Sequence, residues 1–150
     1  MKGKNVFMIG CGGVARAVAV GIFNEGGKLI VADVNKSKAK SFAREFNCEF
    51  IAIEEIKKLD CDLLINATPV GMFPDVDKMP VDEGFLKKGM AVFDVVYNPV
   101  ETKLLKMAKK KGCKIISGVD MFIYQAVEQF ELWTGKKAPV ELMEEIITRN

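Results

Sequence analysis

The sequence predicts an α/β fold: a doubly wound, Rossmann-type, mostly parallel sheet of about six strands with helices on both faces. Three observations predict it. Short apolar runs alternate with longer stretches of helical period along all 150 residues. The spacing of these runs leaves little room for hairpins, so the strands pair in parallel through right-handed crossovers. A glycine-rich turn, Gly10-Cys11-Gly12-Gly13-Val14-Ala15, stands between the first apolar run and the first helical stretch, where a βαβ unit makes its tight turn.

Residues 5–9 form a short apolar run, a buried strand. Residues 13–24 have helical period, with Val14, Ala17, Val18, Gly21 and Ile22 on one face, and Gly26-Gly27 ends the helix. Residues 28–32 are the second strand. Residues 37–46 are helical, with Asn35 or Ser37 as N-cap. A brief strand over 49–53 is followed by a short helix through Leu59, and 62–66 is another buried strand. Residues 67–79, with Pro69, Gly71 and Pro74, form a loop. A short helix over 82–87 leads into a strand over 91–96. Asn98-Pro99 breaks the chain, 101–111 is helical and 114–117 is the last strand. Two helices close the chain, 119–133 and 139–148, the second with Pro139 near its first turn. No repeat, linker or low-complexity segment divides residues 1–150, so they read as a single nucleotide-binding domain.

Composition narrows the chemistry. Nearly half of the chain is apolar and the formal net charge is +2, too small to argue for nucleic acid. There is no histidine, which removes Ser–His and Cys–His nucleophile schemes and metalloprotease motifs. Cys11, Cys48, Cys61 and Cys113 contain no CxxC pair, so zinc would need thiolates from separate segments, and no metal site is expected. A general base must be Lys, Tyr, Asp, Glu or Cys. The N-terminus lacks the apolar region and cleavage site of a signal peptide, and no apolar run approaches the roughly 20 residues of a membrane span. A cytoplasmic protein with reduced cysteines and no membrane partner is expected.

Ligands in such sheets bind beyond the carboxyl ends of the strands. That rule selects residues 10–13, 33–35, 67–72, 97–99 and 118. The pattern GxGxxA supplies a mechanism for the first of these. Gly10 makes the tight turn, Gly12 lets a pyrophosphate approach the backbone, and Ala15 lets the helix lie close to the sheet. The phosphates then meet the free N–H groups and the dipole of the helix N-terminus. Asp33 ends the second strand, close to the roughly 20 residues expected after the glycines. A carboxylate there accepts both ribose hydroxyls of adenosine and repels a 2′-phosphate. Lys36 and Lys38 follow and either offset that repulsion or form a solvated face.

Five blocks, in order along the chain, are more specific. Residues 10–17, GCGGVARA, resemble the glycine loop GAGGAARA of the shikimate dehydrogenase family. Asn66-Ala67-Thr68-Pro69-Val70-Gly71-Met72 is similar to its NATPVGM. Residues 94–102, DVVYNPVET, are similar to DxxYxPxxT, and Gly118-Val119-Asp120-Met121 with Gln125 to GxxMxxxQ. Residues 130–135, FELWTG, resemble the family's FELWTG.

The resemblance implies an oxidoreductase interconverting 3-dehydroshikimate and shikimate, or a quinate relative, with NAD or NADP. It implies that Gly12, Gly13 and Ala15 carry the pyrophosphate, alongside Gly10, Cys11 and Val14 of the same loop. Thr68, Met72, Val95 and Gly118 line the nicotinamide side, with Ala67 and Pro69 in the same block. Tyr97 and Gln125 reach toward the hydroxyls and carboxylate of a shikimate-like hydroxy acid, while Met121 is packing.

Two departures stand out. Where the family's NADP-selecting segment reads like NRT, this chain has Asp33-Val34-Asn35. The arginine is replaced and a carboxylate is present, so the local physics favours NAD while the family favours NADP. Lys38 matches a second basic position and keeps NADP open. In addition, the family's catalytic Lys and Asp lie in an N-terminal substrate domain to which nothing here corresponds. No catalytic residue is therefore assigned, and the chain alone is expected to be inactive. Trp133, Leu142, Ile146 and Ile147 are then expected to face a partner, either a substrate domain or a second copy through the C-terminal helices. The alternatives are a non-catalytic NAD(P)-binding regulatory or scaffolding module, which shares every motif but the catalytic pair, and a methyltransferase, which leaves the 67–72 and 97–125 blocks without a role.

Overall fold

The structure, a computed structural model, describes residues 1–148. Six strands form one sheet: β1 (Asn5–Ile9), β2 (Lys28–Ala32), β3 (Glu49–Phe50), β4 (Leu63–Asn66), β5 (Ala91–Asp94) and β6 (Lys114–Ile116). Every pairing is parallel, in the order β3-β2-β1-β4-β5-β6. The order reverses between β1 and β4, the switch point that opens a crevice in doubly wound sheets. Register levels the strand ends there. Ile9 lies opposite both Ala32 and Asn66, and Asn66 lies opposite Asp94. Gly10, Asp33, Ala67 and Val95 therefore leave the sheet side by side.

Alternation along the strands divides the core in two. Val6, Met8, Val31 and Ile65 pack with Ala15, Ala19 and Ile22 of α1 (Gly13–Asn24) and with Ala39, Phe42 and Ala43 of α2 (Lys36–Phe46). Phe7, Ile9, Leu64 and Val92 pack with Leu104, Leu105 and Ala108 of α3 (Lys103–Lys110), and with Phe85 and Ile56 from the two 3₁₀ segments Glu83–Phe85 and Ile53–Lys58. Both faces are thus covered, as the sequence predicts.

The buried stripe of α1 differs from the predicted one. It runs through Ala15, Ala19 and Ile22, with Val18 partly buried, while Val14, Ala17 and Gly21 face outward. Close approach of helix to sheet selects the two alanines, both fully buried, whereas the helical period predicts Val14, Ala17 and Gly21 on the buried face.

Side chains explain most other boundary shifts. β5 stops at Asp94, whose carboxylate takes the Val96 N–H and turns the chain out of the ladder. α3 begins at Lys103, not 101, because Thr102 accepts from Leu105 N. Asn35, one of two predicted caps, is the one used on α2, accepting from Lys38 N. α4 (Gly118–Thr134) starts with a capping box between Ser117 and Asp120 and ends at Gly135 in the left-handed region. α5 (Val140–Thr148) packs on α4. β3 is only two residues long, and the predicted helix over 82–87 is a single 3₁₀ turn. Among the described residues, no helix is long and apolar enough to cross a membrane.

Two glycines give opposite expectations. Gly10 sits at φ +101°, and a Cβ there would lie 2.6 Å from the Ala67 carbonyl oxygen. Gly10→Ala should therefore lose stability on the order of 3 kcal/mol. Gly21 lies on the exposed face of α1 with open space around it, so Gly21→Ala should gain about 1 kcal/mol from helix propensity. Urea denaturation of both variants checks this, and an unperturbed Gly10→Ala would count against the close approach.

Candidate functional site

The glycine loop is tied down on both sides. Gly10 N–H donates to the Ala32 carbonyl at 2.8 Å, and Ala67 N–H donates to that of Ile9 at 2.8 Å. Asp33 then grips the turn: its Oδ2 accepts from Cys11 N–H and its Oδ1 from Asn35 N–H, each at 2.9 Å. The carboxylate is only 10% exposed, with Lys38 Nζ 4.0 Å away. A carboxylate offers about four lone-pair sites, so two acceptor positions are left over on Asp33.

Beyond Gly10 the loop opens. Gly12 is the N-cap of α1 with no side-chain cap, and the first turn carries no acid. α2, α3 and α4 are each capped by a side chain instead. A Cβ on Gly12 or Gly13 would meet nothing within 4 Å. Free N–H groups beneath open space at the positive end of a helix fit a phosphate group.

The side chains nearby do other work. The Cys11 thiol is buried, and burial followed by the Asp33 charge pushes its pKa up to about 12, so it is inert. Arg16 pairs with Glu45 and lies 5.8 Å over the Phe42 ring, bracing α1 on α2.

A second construction holds the ends of β4 and β5. Asn66, Asp94 and Thr102 are fully buried. Asp94 Oδ1 accepts from Asn66 Nδ2 at 2.9 Å and from Val96 N–H at 3.1 Å, and Oδ2 accepts from Thr102 Oγ1 at 2.7 Å. Asn66 Oδ1 in turn accepts from Thr68 N–H at 3.1 Å and Thr68 Oγ1 at 2.6 Å, and Thr68 Oγ1 takes Val70 N–H at 3.1 Å. Burial raises the Asp94 pKa above the usual aspartate value, while its three donors pull it down. Sequence reasoning assigned no role to these three residues. The available signal was a polar residue closing each of two otherwise apolar strands.

The two constructions border a cleft of about 340 Å³. Val14, Ala67, Thr68, Pro69, Met72, Val95 and Tyr97 line it together, with Phe73, Val96 and Asn98 added. The structure thus brings together seven of the predicted site residues from three segments. Tyr97 packs on Phe122 of α4 with ring centroids 5.2 Å apart. Other predicted residues lie differently. Gly118 is buried, and a Cβ there would lie 2.4 Å from the Val96 carbonyl oxygen, so it lets α4 approach β5 instead of lining the cleft. Gln125 is exposed on α4 and is not a lining residue. Val34 is 89% exposed beside Asp33. A larger cleft of about 500 Å³, lined by Ile53, Ile56, Val81 and Phe85 among others, shares no residue with this site. Among the described residues, no cluster of three or more His, Cys, Asp or Glu could hold a metal ion.

Residues 5–96 match the family model described as NADP oxidoreductase, coenzyme F420-dependent, and residues 118–148 match that of the shikimate 5′-dehydrogenase C-terminal domain. A shikimate dehydrogenase (NADP(+)) of Methanosarcina acetivorans is 39% identical over 98% of the chain. The chain belongs to the shikimate dehydrogenase family. It covers that family's nucleotide-binding part and spans about half the length of the curated relatives it matches, 56% for the Methanosarcina protein. The first model spans β1 to β5, five of the six strands, with the glycine loop. Among solved family structures, quinate dehydrogenase from Corynebacterium glutamicum in complex with NAD superposes with a TM-score of 0.91 at 36% identity, over 99% of this chain and 56% of that one. The Thermus thermophilus shikimate 5-dehydrogenase, in complex with NADP(H) and shikimate, superposes with a TM-score of 0.85 at 33% identity, over 96% and 54%.

The raised pKa of Asp94 carries a sign. The stability this group contributes is full below its unfolded value of about 4 and is lost as pH rises through the folded value. Asp94→Asn removes that titration. Its stability relative to the unmodified chain should therefore increase as pH is raised from about 3 to 7. Urea midpoints measured across that range check the slope, and a decrease would contradict it.

Proposed function

We propose that this chain is the NAD(P)-binding domain of a shikimate- or quinate-dehydrogenase-type oxidoreductase. In this reading it takes part in reversible hydride transfer between a nicotinamide dinucleotide and 3-dehydroshikimate or shikimate. The observation that carries the reading is the open, uncapped glycine loop beside a cleft built from the strand ends of β1, β4 and β5. The bound nicotinamide ring supplies the site that accepts or donates hydride.

The chain's own residues bind and orient. In the loop over Gly10, Cys11, Gly12, Gly13, Val14 and Ala15, the N–H groups past Cys11 take the pyrophosphate, while those of Gly10 and Cys11 hold the turn on Ala32 and Asp33. The two unused acceptor positions of Asp33 take the adenosine ribose hydroxyls, with Val34, Asn35 and Lys38 around them. Ala67, Thr68, Pro69, Met72 and Val95, with Gly118 behind them, form the wall that keeps water from the reacting ring. Tyr97, at the cleft mouth, reaches toward substrate hydroxyls. Gln125 is assigned to the substrate carboxylate on the family register alone.

Oxidising the alcohol also releases a proton. Apart from Tyr97, assigned here to a substrate hydroxyl, no lining residue of the cleft has an ionisable side chain, so proton transfer is assigned to residues from the part of the family's length that this chain does not match. Leu132, Trp133, Leu142 and Ile146 are exposed on α4 and α5, and this face is proposed to meet that substrate domain or a second copy.

Within this reading the preferred cofactor is NAD. The carboxylate of Asp33 repels a 2′-phosphate, and exposed Val34 stands where the family carries arginine. The family supports both outcomes, since relatives are named for NADP while a similar structure holds NAD. Calorimetric titration should show NAD binding about tenfold tighter than NADP, or about 1.4 kcal/mol. Asp33→Asn combined with Val34→Arg should reverse the order. Tighter NADP binding by the unmodified chain would sink the preference.

Activity is tested by mixing the chain with shikimate or quinate and NAD or NADP and following the absorbance of reduced nicotinamide. No turnover is expected from the chain alone. Turnover would overturn the assignment of proton transfer to residues outside it.

A further inference from the structure

We propose that Asp94 is a positioning residue that locks the two walls of the cleft into one unit, setting the nicotinamide-facing surface separately from the pyrophosphate loop. The proposal rests on the dinucleotide reading above. One wall is the loop after β4 and the other is the loop after β5. Asp94 Oδ1 holds both: it accepts from Asn66, which carries Thr68, and from Val96 N–H, next to Tyr97. Oδ2 fastens the pair to the start of α3 through Thr102, whose hydroxyl also takes Leu105 N–H. Besides this clamp, the backbone bonds between the walls are Val95 N–H to the Asn66 carbonyl, at 3.0 Å, and Phe73 N–H to that of Asn98, at 3.1 Å.

The pyrophosphate loop is gripped by a different carboxylate, Asp33, through Cys11 N–H. The hydrogen bonds of Asp33 and Asp94 share no residue. Two separate anchors therefore serve the two ends of an extended ligand, and loosening one should be felt at one end. The chemistry of the clamp also separates substitutions. Asparagine keeps an oxygen for the two donors at Oδ1, and its amide can donate to the Thr102 hydroxyl, which accepts as well as it donates. Alanine keeps neither.

The test compares NADH with ADP-ribose, which lacks the nicotinamide, by titration calorimetry on the full chain. The unmodified chain should bind NADH at least about fivefold tighter than ADP-ribose. Asp94→Ala should bring the ratio close to one while ADP-ribose affinity changes less than about twofold. Asp94→Asn should restore the ratio. If Asp94→Ala does not fold, Thr102→Val should lower the ratio with ADP-ribose binding intact, and Thr102→Ser should recover it. Equal weakening of both ligands would make the role merely structural and overturn the proposal. An unchanged ratio, or equal affinities in the unmodified chain, would overturn it too. Failure of the unmodified chain to bind ADP-ribose would instead reject the dinucleotide reading itself.

Discussion

Asn66 and Asp94 face each other at the last paired position of β4 and β5, and there the sheet changes from core to site. Up to that rung the two strands are apolar. At that rung two fully buried polar side chains meet. An unsatisfied buried polar group costs about 1–3 kcal/mol, and the local geometry removes that cost. Asp94 has three donors, Asn66 uses both ends of its amide, and Thr102 both donates and accepts. Among the described residues, no buried side-chain nitrogen or oxygen lacks a partner. Because the donors come from Thr68, Val96 and the start of α3, and the Val70 carbonyl accepts from Asn66, satisfying two residues shapes two loops and a helix.

Asp33 repeats this logic at β2 with a different balance. It too spends acceptor capacity on backbone N–H groups, but it keeps part of its surface and sits 4.0 Å from a lysine. Asp94 is enclosed and acts on the chain alone. Asp33 is both a brace for the glycine turn and a group within reach of a ligand. A change at Asp33 therefore acts on loop geometry and on ligand charge together, which is why its reading needs a companion change at Val34, an exposed residue with no bracing role.

The sheet was legible in the sequence because burial on both faces writes itself as contiguous apolar runs. β1, β2 and α1 have the predicted limits, and Gly10 to Ala15 turns where the motif requires. Two kinds of feature were not legible. The buried face of α1 was one: the GxGxxA motif marked Ala15 as a close approach to the sheet, but helical period did not extend that face to Ala19 and away from Val14, Ala17 and Gly21. The Asn66–Asp94–Thr102 set joins residues 28 and 8 positions apart, which no local pattern encodes. The ends of β5 and α3 were displaced by local bonds of the same side chains, Val96 N–H to Asp94 and Leu105 N–H to Thr102. The family blocks did contain all three residues, but a motif records their presence without saying which atoms they satisfy.

Tyr97 shows where the described surface leads. It lines the cleft beside Thr68 and also a second one of about 320 Å³, with Phe122, Ile123, Met143 and Ile146 of α4 and α5. The proposed substrate side is therefore continuous with an apolar face of α4 and α5 on which Ile146 is 56% exposed. Isolated exposed apolar residues are ordinary, but a run of them joined to a cleft marks a surface that gains by being covered. At about 25 cal/mol per Å² of apolar area, covering a few such side chains offsets much of the cost of bringing two bodies together. Under the proposed function, whatever docks there closes over Tyr97 at the same time, so assembly and completion of the site become one event.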